Sequence, residues 1–272
     1  MPDPLGPTNP RVSPLFTSSE MPRRISTRPA LPIRDKVASV RDKTGAVMGA
    51  AFKRVCGVGY GAKPGIRNLC LGLILAAGAA QAETITIAAL GDSLTQGYGL
   101  PEADGFVPQL QGWLRDNGAD VTLVNAGVSG DTTAGGLSRV GWTLTPDVDA
   151  MIVALGGNDF LRGIDPAVSR ANLRGILEAA QAQGVPVLLV GLQATNNYGT
   201  DYKTAFDTMY PDLATQFGAI LYPSFFAGII DAGGDSRAAF FQEDGIHPNA
   251  AGVALDVAAI GPVVLDLIAA VQ

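Results

Sequence analysis

Four short stretches of this chain carry side chains that can move protons or stabilise charge. Ser93 sits in Gly91-Asp-Ser-Leu94, Gly130 in Ser129-Gly-Asp131, and Asn158 in Gly156-Gly-Asn-Asp159. His247, the only histidine among 272 residues, sits in Asp244-Gly-Ile-His-Pro248. A carboxylate three residues before a histidine can turn back to accept its Nδ1–H, which leaves Nε2 as a base toward a serine hydroxyl. An asparagine amide can donate hydrogen bonds from its NH2, and a glycine lets a substrate approach the main chain closely. Each stretch also has a purely structural reading. Ser93 or Asp92 can cap a helix, the Gly/Asn blocks can be turns, and Asp244 can cap the loop that holds His247. Taken singly, those structural readings are the better ones; the placement of the four together favours chemistry.

That placement depends on the elements around them. Residues 84–90 are apolar, rich in β-branched side chains and stopped by glycine, as in a central strand of a parallel sheet. Further strands are expected at 121–125, 150–155, 186–190 and 219–222. Helices are expected between them at about 106–117, 133–143, 167–183 and 203–217, with a last one at about 250–271 capped by Asn249. Strands alternating with helices predict a parallel sheet covered on both faces. Ligands in such sheets sit beyond the carboxyl ends of the strands. Ser93, Gly130 and Asn158 follow the first three strands, so a hydroxyl, a backbone N–H and an amide would share one crevice.

The first third of the chain has a different character. Residues 1–47 are rich in Pro, Arg and Ser without apolar periodicity, and cannot bury enough apolar surface to offset their ordering entropy. This stretch reads as a disordered leader or as an over-extended reading frame ahead of a true start at Met48. Residues 48–82 join a basic region (Lys53, Arg54, Lys63, Arg67), an apolar run at 69–80 and the triplet Ala80-Gln-Ala82. This is the layout of a secretory signal peptide cleaved after Ala82, and its apolar run is shorter than the ~20 residues of a membrane span. Export to the periplasm or the exterior is therefore expected. Residues 83–272 would form one domain of 190 residues (272 − 82) without internal repeats or membrane spans.

Charge divides the chain at the same point. Residues 1–82 hold 12 Lys+Arg and 4 Asp+Glu, whereas 83–272 hold 7 and 21, so +8 and −14 sum to the overall −6. An acidic domain has no basic patch for nucleic acid or for an anionic membrane surface. Cys56 and Cys70 both precede Ala82, which leaves the domain no disulfide and no thiol nucleophile. One histidine without cysteine excludes a multi-histidine zinc site. No metal and no cofactor are expected.

GDSL at 91–94, SGD at 129–131, GGND at 156–159 and DGIHP at 244–248 resemble, in order, the four blocks of the SGNH (GDSL-type) hydrolases. The longer strings NAGVSGDTT, LGGNDFLRG, NNYGTDY and DGIHPN are similar to the bacterial periplasmic arylesterase, thioesterase I and lysophospholipase branch. The resemblance covers the whole of 83–272. It implies a flavodoxin-like three-layer α/β/α sandwich with a five-stranded parallel sheet in the order 2-1-3-4-5. It implies Ser93 as nucleophile, His247 as general base and then acid, and Asp244 as the group orienting His247. It implies an oxyanion hole from the Ser93 N–H, the Gly130 N–H and the Asn158 amide, with Asp92 supporting the turn. The family's acyl pocket would draw on Phe160 and Leu161, and on Ala194 and Thr195, where the chain departs from the branch pattern. The substrate implied is a small-molecule carboxylic ester or lipid, with thioesters and lysophospholipids in range. Two other readings stay open: an O-deacetylase acting on acetylated sugars, and a non-catalytic phosphate or flavin binder, for which His247 and Asp244 have no use.

Overall fold

The computed structural model describes residues 84–271, so the expected leader at 1–47 and the expected signal-peptide region at 48–82 lie outside the described residues. Five strands form one parallel sheet: β1 (Ile85–Gly91), β2 (Val121–Gly127), β3 (Ala150–Ala154), β4 (Val187–Val190) and β5 (Ile220–Tyr222). Their order is β2-β1-β3-β4-β5, with β1 paired in parallel to both β2 and β3. The helices are α1 (Ser93–Gln96), α2 (Phe106–Asp116), α3 (Thr133–Thr143), α4 (Gly157–Leu161), α5 (Pro166–Ala182), α6 (Thr200–Phe217), α7 (Ala227–Gly233) and α8 (Ala250–Val271).

Successive residues of a strand point to opposite faces, and here each face meets its own apolar layer. Ile87 and Ala89 of β1, Ala150 and Ile152 of β3, and Leu188 and Val190 of β4 join one core with Leu110 and Leu114 of α2 and Val257, Ile260 and Val264 of α8. Ala88, Leu90, Met151, Val153, Val187 and Leu189 join the other, with Val140 of α3, Leu173 and Ile176 of α5, and Phe206 and Leu213 of α6. Burial on both faces explains why these strands read as unbroken apolar runs. Each fully buried Leu, Ile or Phe contributes roughly 1.5–3 kcal/mol, so the sheet is a rigid platform for the loops at its carboxyl edge.

The expected strands and the five long helices are present, with ends shifted by three residues at most. The helix start expected after the Gly-Asp-Ser-Leu turn is α1, whereas α4 and α7 carry no signal in the sequence because fewer than two turns leave no apolar period. By length and apolar composition α8 could cross a membrane, its mean hydropathy reaching 2.1. Its Val253, Val257, Ile260, Val264 and Leu267 are instead core residues. Asn249 caps it as expected, its Oδ1 accepting the N–H groups of Ala251 and Gly252 at 3.1 Å each.

Candidate active site

β1 ends at Gly91, and Asp92 caps the one-turn helix α1 that Ser93 opens. Asp92 Oδ1 accepts the Leu94 N–H at 3.0 Å, and Oδ2 faces the Asn158 amide nitrogen at 3.4 Å. The residue is only 2 % exposed. Burial pushes its carboxyl up to about 6, although the Leu94 N–H and the Asn158 amide both favour the ionised form. Asp92 thus ties the Ser93 turn to the block after β3, a structural support as expected.

His247 reaches the same point from a loop just before α8. Its Nε2 lies 2.8 Å from Ser93 Oγ, and its Nδ1 lies 2.6 Å from Asp244 Oδ2. The other Asp244 oxygen accepts the N–H groups of Ile246 at 2.9 Å and His247 at 3.0 Å. Burial raises the affinity of Asp244 for a proton, but the hydrogen bonds from His247 and Ile246 outweigh it and hold the carboxyl below its usual range. The loop is closed by a bridge between Phe241 and Pro248 and by the Gln242 N–H donating to the His247 carbonyl at 2.8 Å. Gln242 Nε2 also donates to the Tyr98 carbonyl at 2.8 Å, which fastens the histidine loop to the serine side.

Gly130 follows β2 with φ +80°, a conformation that favours glycine. Among the described residues, neither its N–H nor that of Ser93 donates to an acceptor within the chain. Arg162 Nη2 donates to the Gly130 carbonyl at 2.9 Å. Gly156, after β3, has φ +122°, and a Cβ there would overlap the Tyr210 hydroxyl. Glycine at 130 and 156 is therefore demanded by geometry, and Asn158, bonded to Asp92, lines the same cavity as Ser93.

Two residues that the sequence left without a role, Arg139 and Asp159, hold this edge together, and a third, Tyr98, lies beside His247. The Arg139 guanidinium donates to the Gly91 carbonyl at 2.8 Å, the Ala126 carbonyl at 2.6 Å and Asp131 Oδ2 at 2.7 Å. It joins the ends of β1 and β2 to the Gly130 loop. Asp159, 1 % exposed, accepts the Thr133 N–H at 2.8 Å, the Thr133 hydroxyl at 2.6 Å and the Ser169 hydroxyl at 2.8 Å. It anchors α3 and α5 to α4. Tyr98 packs its ring 4.7 Å from that of His247, at an interplanar angle of 38°. Asp159 lies in the Gly156–Asp159 block already singled out, whereas Arg139 and Tyr98 leave no local signal in the sequence.

A cavity of about 260 Å³ opens on Ser93 and His247 and is walled by Tyr98, Gly130, Asn158, Phe160, Leu161 and Leu192, with Gln193, Phe206, Phe226 and Ile246 also lining it. Two expectations fail here. Ala194 is 3 % exposed in the core, its N–H donating to Asp207 at 2.8 Å and its carbonyl accepting from Lys203 Nζ at 2.6 Å. Thr195 begins the turn at Asn196–Tyr198, and neither residue is a cavity wall. Lys203 and Asp207, themselves paired at 2.7 Å, hold the Ala194 backbone on the α6 side, and Leu192 and Gln193 line the cavity in their place. Among the described residues, no group of three or more His, Cys, Asp or Glu side chains could hold a metal ion.

The arrangement supplies a base-linked hydroxyl, an acid-orienting carboxylate, two undonated N–H groups and an apolar recess. Those are the parts that acyl transfer to serine requires.

Residues 89–255 match the GDSL-like Lipase/Acylhydrolase family. Esterase TesA of Pseudomonas aeruginosa is 42% identical over 180 residues, covering 66% of this chain and 86% of that protein. Thioesterase 1/protease 1/lysophospholipase L1 of Escherichia coli K12 is 39% identical over 173 residues, covering 63% and 78%. The crystal structure of AlinE4, an SGNH-hydrolase family esterase, superposes with a TM-score of 0.57 at 42% identity, covering 69% of this chain and 98% of that one.

Proposed function

The chain belongs to the GDSL-like Lipase/Acylhydrolase family, and on that premise we propose that it is an exported serine esterase that cleaves carboxylic esters through an acyl-enzyme on Ser93. The observation that carries this reading is the relay Ser93–His247–Asp244, with contacts of 2.8 and 2.6 Å.

In this mechanism His247 Nε2 takes the Ser93 hydroxyl proton as Oγ attacks the ester carbonyl. Asp244 holds the imidazole by Nδ1 and offsets the charge it acquires. The carbonyl oxygen becomes an oxyanion received by the N–H groups of Ser93 and Gly130 and by the Asn158 amide. Each such donor lowers the barrier by about 3 kcal/mol in comparable sites. The carbon–oxygen bond to the leaving group then breaks, and its electron pair stays on the leaving oxygen, which takes the proton from Nε2. Water repeats the sequence on the acyl-enzyme, with His247 as base toward the water.

The apolar walls Phe160, Leu161, Leu192 and Phe206 suit the acyl chain, which favours aryl and short-to-medium acyl esters. The names of the relatives extend the range to thioesters and lysophospholipids. A recess of about 260 Å³ is larger than an acetyl group fills, which weighs against an acetylated sugar as substrate. Export rests on the basic, apolar and Ala-Gln-Ala segments that end at Ala82.

The test is initial rates on p-nitrophenyl esters from acetate to palmitate, for the wild-type chain and Ser93→Ala. Hydrolysis that peaks at one chain length and disappears in the variant is expected. Full activity in Ser93→Ala would overturn the mechanism.

A further inference from the structure

Tyr98 is the aromatic wall that the relay does not use, and its surroundings give it a purpose. Its ring is half exposed, at 50 %, yet its backbone is fixed at both ends. The Tyr98 N–H donates to the Ser93 carbonyl at 3.1 Å, and its carbonyl accepts from Gln242 Nε2 at 2.8 Å. Among the described residues its hydroxyl makes no hydrogen bond. A rigid ring facing solvent beside the base, with a spare hydroxyl, is a surface awaiting a ligand.

The chemistry of the relay says which part of a substrate arrives there. When the tetrahedral adduct collapses, the proton on His247 Nε2 must pass to the leaving oxygen, within hydrogen-bond reach. The leaving group therefore departs along the His247 ring. Tyr98 is the aromatic side chain packed against that ring, with centroids 4.7 Å apart and planes tilted by 38°. Of the other aromatic walls, Phe160 and Phe206 make ring contacts with each other and with Tyr198, Tyr202 and Tyr210, and Phe226 makes ring contacts with Phe225 and Phe241. The acyl side and the leaving-group side of the cavity are thus built from different aromatic groups.

We propose that Tyr98 is a leaving-group subsite that selects flat, aromatic alcohols, the phenol half of an aryl ester, by stacking on them. This rests on the esterase reading above and deepens it. Aromatic rings in offset contact gain a modest increment beyond their buried area, so the preference should be severalfold. Stacking carries no covalent step of its own. The bond broken remains that between the acyl carbon and the phenolic oxygen, and the proton delivered remains that of His247.

The experiment compares kcat/KM of the full chain for phenyl acetate and ethyl acetate, which share the acetyl-enzyme, in wild type, Tyr98→Phe, Tyr98→Leu and Tyr98→Ala. Tyr98→Phe should keep the wild-type ratio within about twofold. Tyr98→Ala and Tyr98→Leu should lower kcat/KM for phenyl acetate about fivefold while that for ethyl acetate and the pH profile stay in place. Leu keeps apolar bulk over His247, so it serves where the Ala variant does not fold. Equal losses on both esters, or a displaced pH profile, would overturn the subsite and leave Tyr98 as a prop for His247. A wild-type chain inactive on every ester, or a fully active Ser93→Ala variant, would instead overturn the esterase reading itself.

Discussion

One carboxylate, Asp244, engages His247 twice: Oδ2 lies 2.6 Å from Nδ1, and Oδ1 accepts the His247 backbone N–H at 3.0 Å. Loop shape and ring orientation therefore come from the same side chain. Asp244→Asn keeps an oxygen for the backbone N–H groups of Ile246 and His247 but sets an uncharged amide against Nδ1. The expected result is a fall in kcat of about a thousandfold or more, with the thermal midpoint within about 2 °C of wild type. Stopped assays beside thermal melts decide it; a loss of less than tenfold would remove Asp244 from the relay.

Arg139 donates to two strand-end carbonyls and to Asp131. Arg139→Met removes the guanidinium from all three, Gly91 alone keeping a second donor in the Val128 N–H, and should cost on the order of 3 kcal/mol, about 6–12 °C in a domain of this size. Activity should fall further than stability accounts for, because the Gly130 loop loses its anchor. Arg139→Lys, lacking the planar fork, should recover less than half of either. A midpoint unchanged in Arg139→Met would show that these contacts are spectators.

Asp256 is 1 % exposed on α8, and burial pushes its carboxyl up to about 7 against the pull of the Ile229 and Gly228 N–H groups. Asp92, at about 6, is shifted in the same direction. A carboxyl whose folded value exceeds its unfolded value takes up a proton on folding, so stability is greatest in acid and declines as pH rises from about 4 to about 7. Asp256→Asn removes one such group. Its midpoint, measured against wild type across that range, should gain on wild type by about 5 °C or more toward pH 7. Parallel curves would show that Asp256 does not titrate there.

Leu192 stands where Ala194 and Thr195 were expected. Leu192→Trp fills part of a cavity of about 260 Å³ and should shorten the preferred acyl chain. The measure is kcat/KM for octanoate relative to acetate p-nitrophenyl esters, which should drop about tenfold or more. An unchanged ratio would place the acyl chain elsewhere.

Much of this was readable from residues alone. Strand β1 and helix α8 were plain because apolar runs and an Asn cap are local signals. The relay was readable because Asp244 and His247 are three residues apart and the chain has no other histidine. The contributions of Arg139, Asp159 and Gln242 were not, because each depends on which distant carbonyl or hydroxyl the fold brings within 3 Å, and no local pattern encodes that. Ala194 and Thr195 were misplaced for a related reason. Lys203 and Asp207, paired at 2.7 Å, hold the Ala194 backbone on the α6 side.

His247 stands immediately ahead of α8, whose apolar face completes one of the two cores. A polypeptide delivered amino end first presents Ser93, Gly130, Asn158 and five of the eight helices among the described residues, α1 to α5, before β4, and its imidazole only after β5. On the proposed mechanism, ester cleavage then waits for the segment after β5, and a chain that ends before it is inert toward esters. Latency of this kind needs no inhibitory segment; it follows from the order in which the parts are spelled out.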